Sequence, residues 1–279
     1  MFQAAAGIAA AARIGGLLEL DISRLGGPRA RRFSLDAMPH DAAVVDHKRD
    51  PFWKMKKLAH SASRVVVPNL SRPIPDWSGP VYVEPHFHFD PAVLSISGSC
   101  YLQGYFQSPK YFAGAESRIR RAFDLTACVS EAAINTSKRF GEADVAVHIR
   151  RGDFVADSRA RQVHGVLDWG YYQAALKVLE QQARVQTIHM FSDDLEYARS
   201  IFLNDKRIVF QRGLSEHDDM FLMSRVRRHV IANSTFSWWS AWLDERPDAT
   251  VVAPKAWFTS QTLTTKNLKD LFPEAWIIL

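Results

Sequence analysis

Residues 148–153 set one imidazole, two guanidiniums and a carboxylate in a single run, His148-Ile149-Arg150-Arg151-Gly152-Asp153. Ahead of it, Val145-Ala146-Val147 reads as a short buried strand. The run therefore sits at a strand's carboxyl end, the edge where open α/β sheets bind ligands. Two adjacent arginines there call for an anion, and phosphate matches guanidinium geometry bidentately. An internal ion-pair network is the plain structural alternative. Arg151-Gly152-Asp153 also spells a cell-adhesion tripeptide, but adhesion loops are exposed and mobile, whereas this one leaves a buried strand. A nucleic-acid contact is the third alternative, and it lacks the basic stripe with interleaved aromatics such binders use.

Two further strings end predicted strands at the same edge. In Phe191-Ser192-Asp193-Asp194 a carboxylate could accept from the N1 and exocyclic amine donors of guanine, a two-point contact adenine cannot reproduce. It could instead hold a divalent metal, although one acidic pair without supporting ligands is a weak metal signal. Either aspartate could also cap the helix that follows. In Asn233-Ser234-Thr235-Phe236-Ser237-Trp238-Trp239 the first three residues are strong helix caps, and the helix start offers backbone N–H groups to an anion. Phe236, Trp239 and Leu243 recur at helical spacing and read as core. Asn233-Ser234-Thr235 also fits a glycosylation sequon, against which a reducing compartment and a strand-end location argue.

The elements that must carry these strings are regular only after residue 143. Strands are predicted over 145–149, 187–191, 207–210, 229–232 and 250–253, and helices over 169–182, 195–202, 218–224 and 235–243. That alternation implies βαβ units in a parallel sheet with all carboxyl ends on one edge. No GxGxxG or GxxxxGK[ST] fingerprint is present, so a phosphate here must be held by side chains. Upstream, residues 4–12 predict an amphipathic or buried helix rather than a signal peptide, because no basic region precedes them. Residues 24–80 carry seven prolines and read as short strands and loops with one helix. A helical stretch over 116–140, broken near Asp124, leads into the regular part.

Composition bounds the reading. At 279 residues the chain suits one large or two medium domains. Its 47% hydrophobic and 23% charged residues are those of an ordinary globular protein. A net charge of +5 and a pI near 9.2 favour an anionic ligand but do not by themselves argue for nucleic acid. Only Cys100 and Cys128 occur, which implies no disulfide framework and a reducing cytosol. No stretch approaches the ~20 apolar residues of a membrane span.

Taken together, the three strings resemble the motifs of glycosyltransferase family 11, the α-1,2-fucosyltransferases. Further similar strings stand in the same order: Gly104-Tyr105-Phe106-Gln107-Ser108 with Lys110-Tyr111-Phe112, His164-Gly165-Val166-Leu167 before Tyr171-Tyr172, and Ala253-Pro254-Lys255-Ala256-Trp257-Phe258. The resemblance implies an α/β, GT-B-like fold with two Rossmann-type lobes: an acceptor-side lobe over 1–140 and a GDP-fucose-binding lobe over 141–279. Relative to the family pattern the chain opens at Met1-Phe2-Gln3, inside a motif that a first strand and a Gly-Asn-Gln turn usually precede, so the N-terminal lobe is expected to lack both.

The implied activity is inverting transfer of L-fucose from GDP-β-L-fucose to a terminal galactose hydroxyl, in α-1,2 linkage, with no metal and no other cofactor. By resemblance Arg150 binds the β-phosphate, with His148 and Asp153 shaping the pocket and Arg151 beside them. Asp194, with Asp193, is the candidate for guanine, and Asn233, Ser234, Thr235, Phe236 and Ser237 line the diphosphate. Arg150, His148 and Asp153 are the candidate catalytic residues, the proton acceptor being left open between the last two. The implied partners are GDP-fucose and a galactose-terminated glycan, with no nucleic acid. The implied setting is cytoplasmic, peripheral at the inner face of a bacterial membrane. The alternative is a catalytically impaired sugar-nucleotide or glycan-binding protein derived from the same family.

Overall fold

A computed structural model describes residues 1–23, 25, 33–49, 79–202 and 205–279. Most of the proline-rich stretch read as short strands and loops, including all of 50–78, lies outside the described residues. The chain divides into two compact units: residues 1–124 with 268–271, and residues 125–267 with 272–279. No described helix is long and apolar enough to cross a membrane.

The first unit opens on helix α1 (Phe2–Ile14), whose alanine-rich face is buried from Ala4 to Ala10. Alanine's high helix propensity and small volume let such a face pack closely. The predicted helix is thus found, in its buried form. Strands β1 (Glu19–Asp21) and β2 (Ala43–Val45) form one parallel pair; β3 (Val81–Val83) and β4 (Tyr101–Gln103) form another. Helix α2 (Glu116–Ala122) closes the unit. The β4 exit is over-determined. The Glu84 carboxylate accepts the N–H groups of Tyr105 at 2.7 Å and Phe106 at 3.1 Å. Phe106 sits at φ 54, in the left-handed region, and is 1% exposed. Residues 268–271 belong here because Asp270 accepts from Lys110 Nζ at 2.6 Å and from the Phe89 N–H at 3.2 Å.

The second unit begins before residue 140. Helix α3 (Glu131–Ser137) packs on helix α8 (Glu216–Ser224), and the Ser130 N–H donates to Asp218 Oδ1 at 2.7 Å. The division therefore falls at 124/125, where the sequence places it at 140/141. The core of this unit is a six-stranded, all-parallel sheet. Its strands are β5 (Val145–Ile149), β6 (Ile188–Ser192), β7 (Ile208–Phe210), β8 (Arg228–Val230), β9 (Thr250–Ala253) and β10 (Ile277–Ile278), in the order β10-β9-β8-β5-β6-β7. Between them lie α4 (Gly152–Ala156), α5 (Ser158–His164), α6 (Trp169–Gln182), α7 (Leu195–Ile201), α8, α9 (Thr235–Trp242) and α10 (Ser260–Leu263). The strands are short and β-branched, and α6 repeats Tyr172, Ala175, Leu176 and Leu179 at helical spacing onto the same core as Val145, Val147 and Ile188.

The α/β class and the parallel sheet match the sequence reading, and β5, β9 and α6 match it residue for residue. The segment between 152 and 164 adds two short helices where the sequence reading assigns no element. The first, with five residues, is too short to show an apolar repeat, and the second is mostly polar; the cap by Asp157, which accepts from Arg159 N at 2.8 Å, is the local signal for the second. Strand order matters most for function. From β5 the chain builds outward through β6 and β7, then returns to the other side of β5 for β8, β9 and β10. The switch point therefore lies between the carboxyl ends of β5 and β8, and doubly wound sheets open their ligand crevice at such a point.

A Cβ added at Gly104 would lie 2.4 Å from the Glu84 Cβ. Gly104→Ala should therefore destabilise the first unit by about 1–3 kcal/mol, the usual cost of overpacking. The check is a lowered denaturation midpoint in urea, and an unchanged midpoint would show that the Glu84 tie is loose.

Candidate active site at the sheet switch point

Strand β5 is buried along its whole length and releases its chain at Arg150. His148, the last polar residue before the release, is 4% exposed. Burial pushes its pKa down to about 4, with the nearby Asp193 acting in the opposite sense and Arg150 adding to the fall. The imidazole is thus neutral at physiological pH. Among the described residues its Nδ1 finds no hydrogen-bond partner. Its ring lies 5.4 Å from that of Phe236, which links the ends of β5 and α9.

Asp193, at the end of β6, organises the turn after β5. Its Oδ1 accepts the Arg151 N–H at 2.8 Å and its Oδ2 accepts the Gly152 N–H at 3.0 Å. Glycine is needed there, because a Cβ at 152 would sit 2.6 Å from Asp193 Oδ2. The same Oδ2 lies 3.2 Å from Arg150 NH1. The opposite edge of the Arg150 guanidinium is bound to Asp153 Oδ1, by Nε at 3.0 Å and NH2 at 2.8 Å. Arg151 turns toward the next strand: its Nε donates to Asp194 Oδ2 at 3.1 Å, and its guanidinium lies 3.5 Å from the centre of the Tyr197 ring, a cation–π contact. Asp194 also caps α7, its Oδ1 accepting the Tyr197 N–H at 3.0 Å. Of the two aspartates, the cap is therefore Asp194, and the one set against the arginine turn is Asp193.

The β8 side of the crevice is quieter. Asn233 is 2% exposed and donates through Nδ2 to the carbonyls of His164 at 2.9 Å and Trp257 at 3.4 Å. Its Oδ1 has no partner among the described residues. This burial also leaves the sequon unusable. Ser234 caps α9 by accepting the Phe236 N–H at 3.3 Å. Thr235 and Phe236 are half-buried at the helix start. Ser237 is fully buried, and its hydroxyl donates to the carbonyls of Ala232 and Ser234 at 3.3 and 3.2 Å. The structure thus gathers Arg150, Arg151, Asp153, Asp193 and Asp194 into one network with His148 buried beside it, sets Asn233 to Phe236 at the neighbouring strand end, and spends the Ser237 hydroxyl on its own helix. Tyr197 and Ser192, whose Oγ accepts the Asp194 N–H at 3.0 Å, join the network without having been marked in the sequence. Tyr197 could have been found as the third residue after a capping aspartate.

This arrangement is an ion-pair network at the sheet edge, in which guanidiniums and carboxylates face one another. Its guanidiniums are partly exposed, at 23% for Arg150 and 21% for Arg151, and its imidazole is neutral. Among the described residues no group of three His, Cys, Asp or Glu side chains is arranged to hold a metal ion. The sequence profile of "Glycosyl transferase family 11" matches residues 47–279, and the chain belongs to that family. It is 33% identical over 187 residues to an Escherichia coli "Alpha-1,2-colitosyltransferase", covering 66% of this chain and 63% of the relative. It is 40% identical over 136 residues to the Escherichia coli "O-antigen biosynthesis glycosyltransferase WbnK", covering 48% and 43%. To the Bos taurus "Galactoside 2-alpha-L-fucosyltransferase SEC1" it is 29% identical over 153 residues, covering 51% and 41%. The chain thus spans less than two thirds of the length of each of these relatives.

The neutral His148 has a measurable consequence. The unfolded imidazole takes up its proton near 6.5 and the folded one near 4, so the unfolded chain binds more protons between those values. Stability from this group is therefore complete above about pH 6.5 and is lost as pH falls toward 4. Asp219, raised to about 6 by burial and by its neighbours Asp218 and Glu216, acts in the opposite sense over an overlapping range. Comparison with His148→Gln separates them: unfolding free energies measured by urea from pH 4 to 7 should fall less steeply on acidification in the variant. Parallel curves would mean that His148 titrates normally.

Proposed function

We propose that the protein transfers L-fucose from GDP-β-L-fucose to a terminal galactose hydroxyl, inverting the anomeric centre to give an α-1,2 linkage. The observation that carries this reading is the pair of adjacent guanidiniums, Arg150 and Arg151, at the switch point of the sheet in a family 11 chain. The names of the relatives support it, since they combine α-1,2 or 2-α linkage with fucosyl or colitosyl transfer. A galactose-terminated glycan of a bacterial surface polysaccharide is the acceptor we propose, with support from the relative named for O-antigen biosynthesis. We place this activity in the cytoplasm, peripheral at the inner face of the membrane.

In this reading the acceptor hydroxyl attacks the anomeric carbon from the face opposite the diphosphate, and the sugar becomes oxocarbenium-like as the phosphate oxygen departs. Negative charge grows on the leaving diphosphate. Arg150 and Arg151 stabilise it from fixed positions, the work a metal ion does in other transferases. The start of α9 adds backbone N–H dipoles on the β8 side. Asp194 is 33% exposed and its carboxylate has lone pairs beyond those used for the cap and for Arg151, so it can accept from guanine. His148, neutral and buried, shapes the floor of the site and is a poor proton acceptor.

Two measurements test this. Arg150→Ala, assayed for GDP release with GDP-fucose and a β-galactoside, should lose about 10²–10³ in rate, the usual effect of removing one charge-stabilising donor. Near-normal turnover would remove the leaving-group role. In wild type, excess EDTA should leave the rate unchanged, whereas a strong loss would make Asp193 and Asp194 metal ligands. Running the assay with GDP-colitose in parallel decides the donor: turnover with that sugar alone keeps the transfer reaction and replaces fucose.

A further inference from the structure

We propose that Asp153 is a placeholder anion, which holds the Arg150 guanidinium by the edge a diphosphate would take and is displaced when the diphosphate binds. This deepens the donor-site reading and rests on it.

The geometry singles out Asp153 among the three carboxylates. Asp153 Oδ1 meets both Nε and NH2 of Arg150, at 3.0 and 2.8 Å. That Nε/NH2 edge is one a phosphate can take bidentately. The remaining NH1 lies against Asp193, whose two oxygens are also committed to the backbone N–H groups of Arg151 and Gly152. Moving Asp193 would undo the turn that positions both arginines. Asp194 is tied to the cap of α7 and to Arg151. Asp153 is the most exposed of the three, at 39% against 26% and 33%, and stands in the first turn of the five-residue α4.

Charge requires that one carboxylate yield. Two guanidiniums face three carboxylates, which leaves the empty network with a net charge of −1. A diphosphate approaching that network as it stands meets repulsion rather than attraction. With Asp153 swung aside, the Nε/NH2 edge of Arg150 opens and the local balance returns to neutral. The arrangement keeps Arg150 in its working position while the site is empty, so that no ordering of a long side chain is needed on binding. Its cost is competition: the ligand must replace a contact already made, and its apparent affinity falls accordingly.

The test is calorimetric titration of wild type, Asp153→Asn and Asp153→Ser with GDP and with inorganic pyrophosphate at fixed ionic strength. Competition predicts that both variants bind both ligands more tightly, roughly threefold to tenfold. A merely structural carboxylate predicts weaker binding on its removal, so unchanged or weaker binding in folded variants overturns the proposal. A measurement on wild type covers the case of poor folding: at saturating GDP the side-chain carboxyl carbon resonance of Asp153 should move while that of Asp193 stays. A stationary Asp153 resonance overturns the proposal as well. Wild-type protein that binds neither GDP nor pyrophosphate removes the donor-site reading itself, an outcome distinct from binding without competition.

Discussion

One carboxylate, that of Asp193, joins the ends of two neighbouring strands, and the active edge of the sheet depends on it. A chain leaving a buried parallel strand must satisfy the N–H groups of its first turn. Here a charged acceptor does so, in hydrogen bonds roughly twice as strong as neutral ones. Because the acceptor comes from β6, the turn after β5 is registered against the adjacent strand rather than against itself. Gly152 follows from this contact, as does the position of Arg150, whose guanidinium shares the same oxygen. The paired arginines are thus placed by backbone chemistry, and their direction does not depend on a ligand.

The second organising feature is topological. Switching sides at β5 opens the crevice beside β8, and the chemistry of the two banks differs. The β5 and β6 bank is ionic and partly exposed. The β8 bank is nearly dry, with Asn233 bound to the carbonyls of residues 164 and 257, and Ser234 capping the tryptophan-rich α9. The two banks thus differ in charge and in access to solvent.

Much of the second unit was legible in the sequence, for definite reasons. Strand β5 opens on the apolar run Val145-Ala146-Val147, and α6 repeats its apolar residues at helical spacing, so the apolar pattern locates them. The site strings were legible because each closes a strand. How the side chains divide their work was not. Which aspartate caps α7, and that the Ser237 hydroxyl serves its own helix, depend on partners distant in sequence or on carbonyl positions that no pattern encodes. The first unit resisted for the same reason. Its decisive contacts, Glu84 with 105–106 and Asp270 with Lys110, are made by single residues across gaps without repeat. The helices over 152–164 stayed hidden because the first is too short, and the second too polar, to show a face.

The return of residues 268–271 to the first unit bears on biosynthesis. On the ribosome, residues 1–124 emerge well before Asp270, which receives Lys110 and the Phe89 amide. The N-terminal unit therefore stays unfinished while five of the six sheet strands, β5 to β9, are synthesised behind it. Parallel strands themselves fold slowly, because each pairing closes a long loop. The order of translation is therefore not the order of assembly.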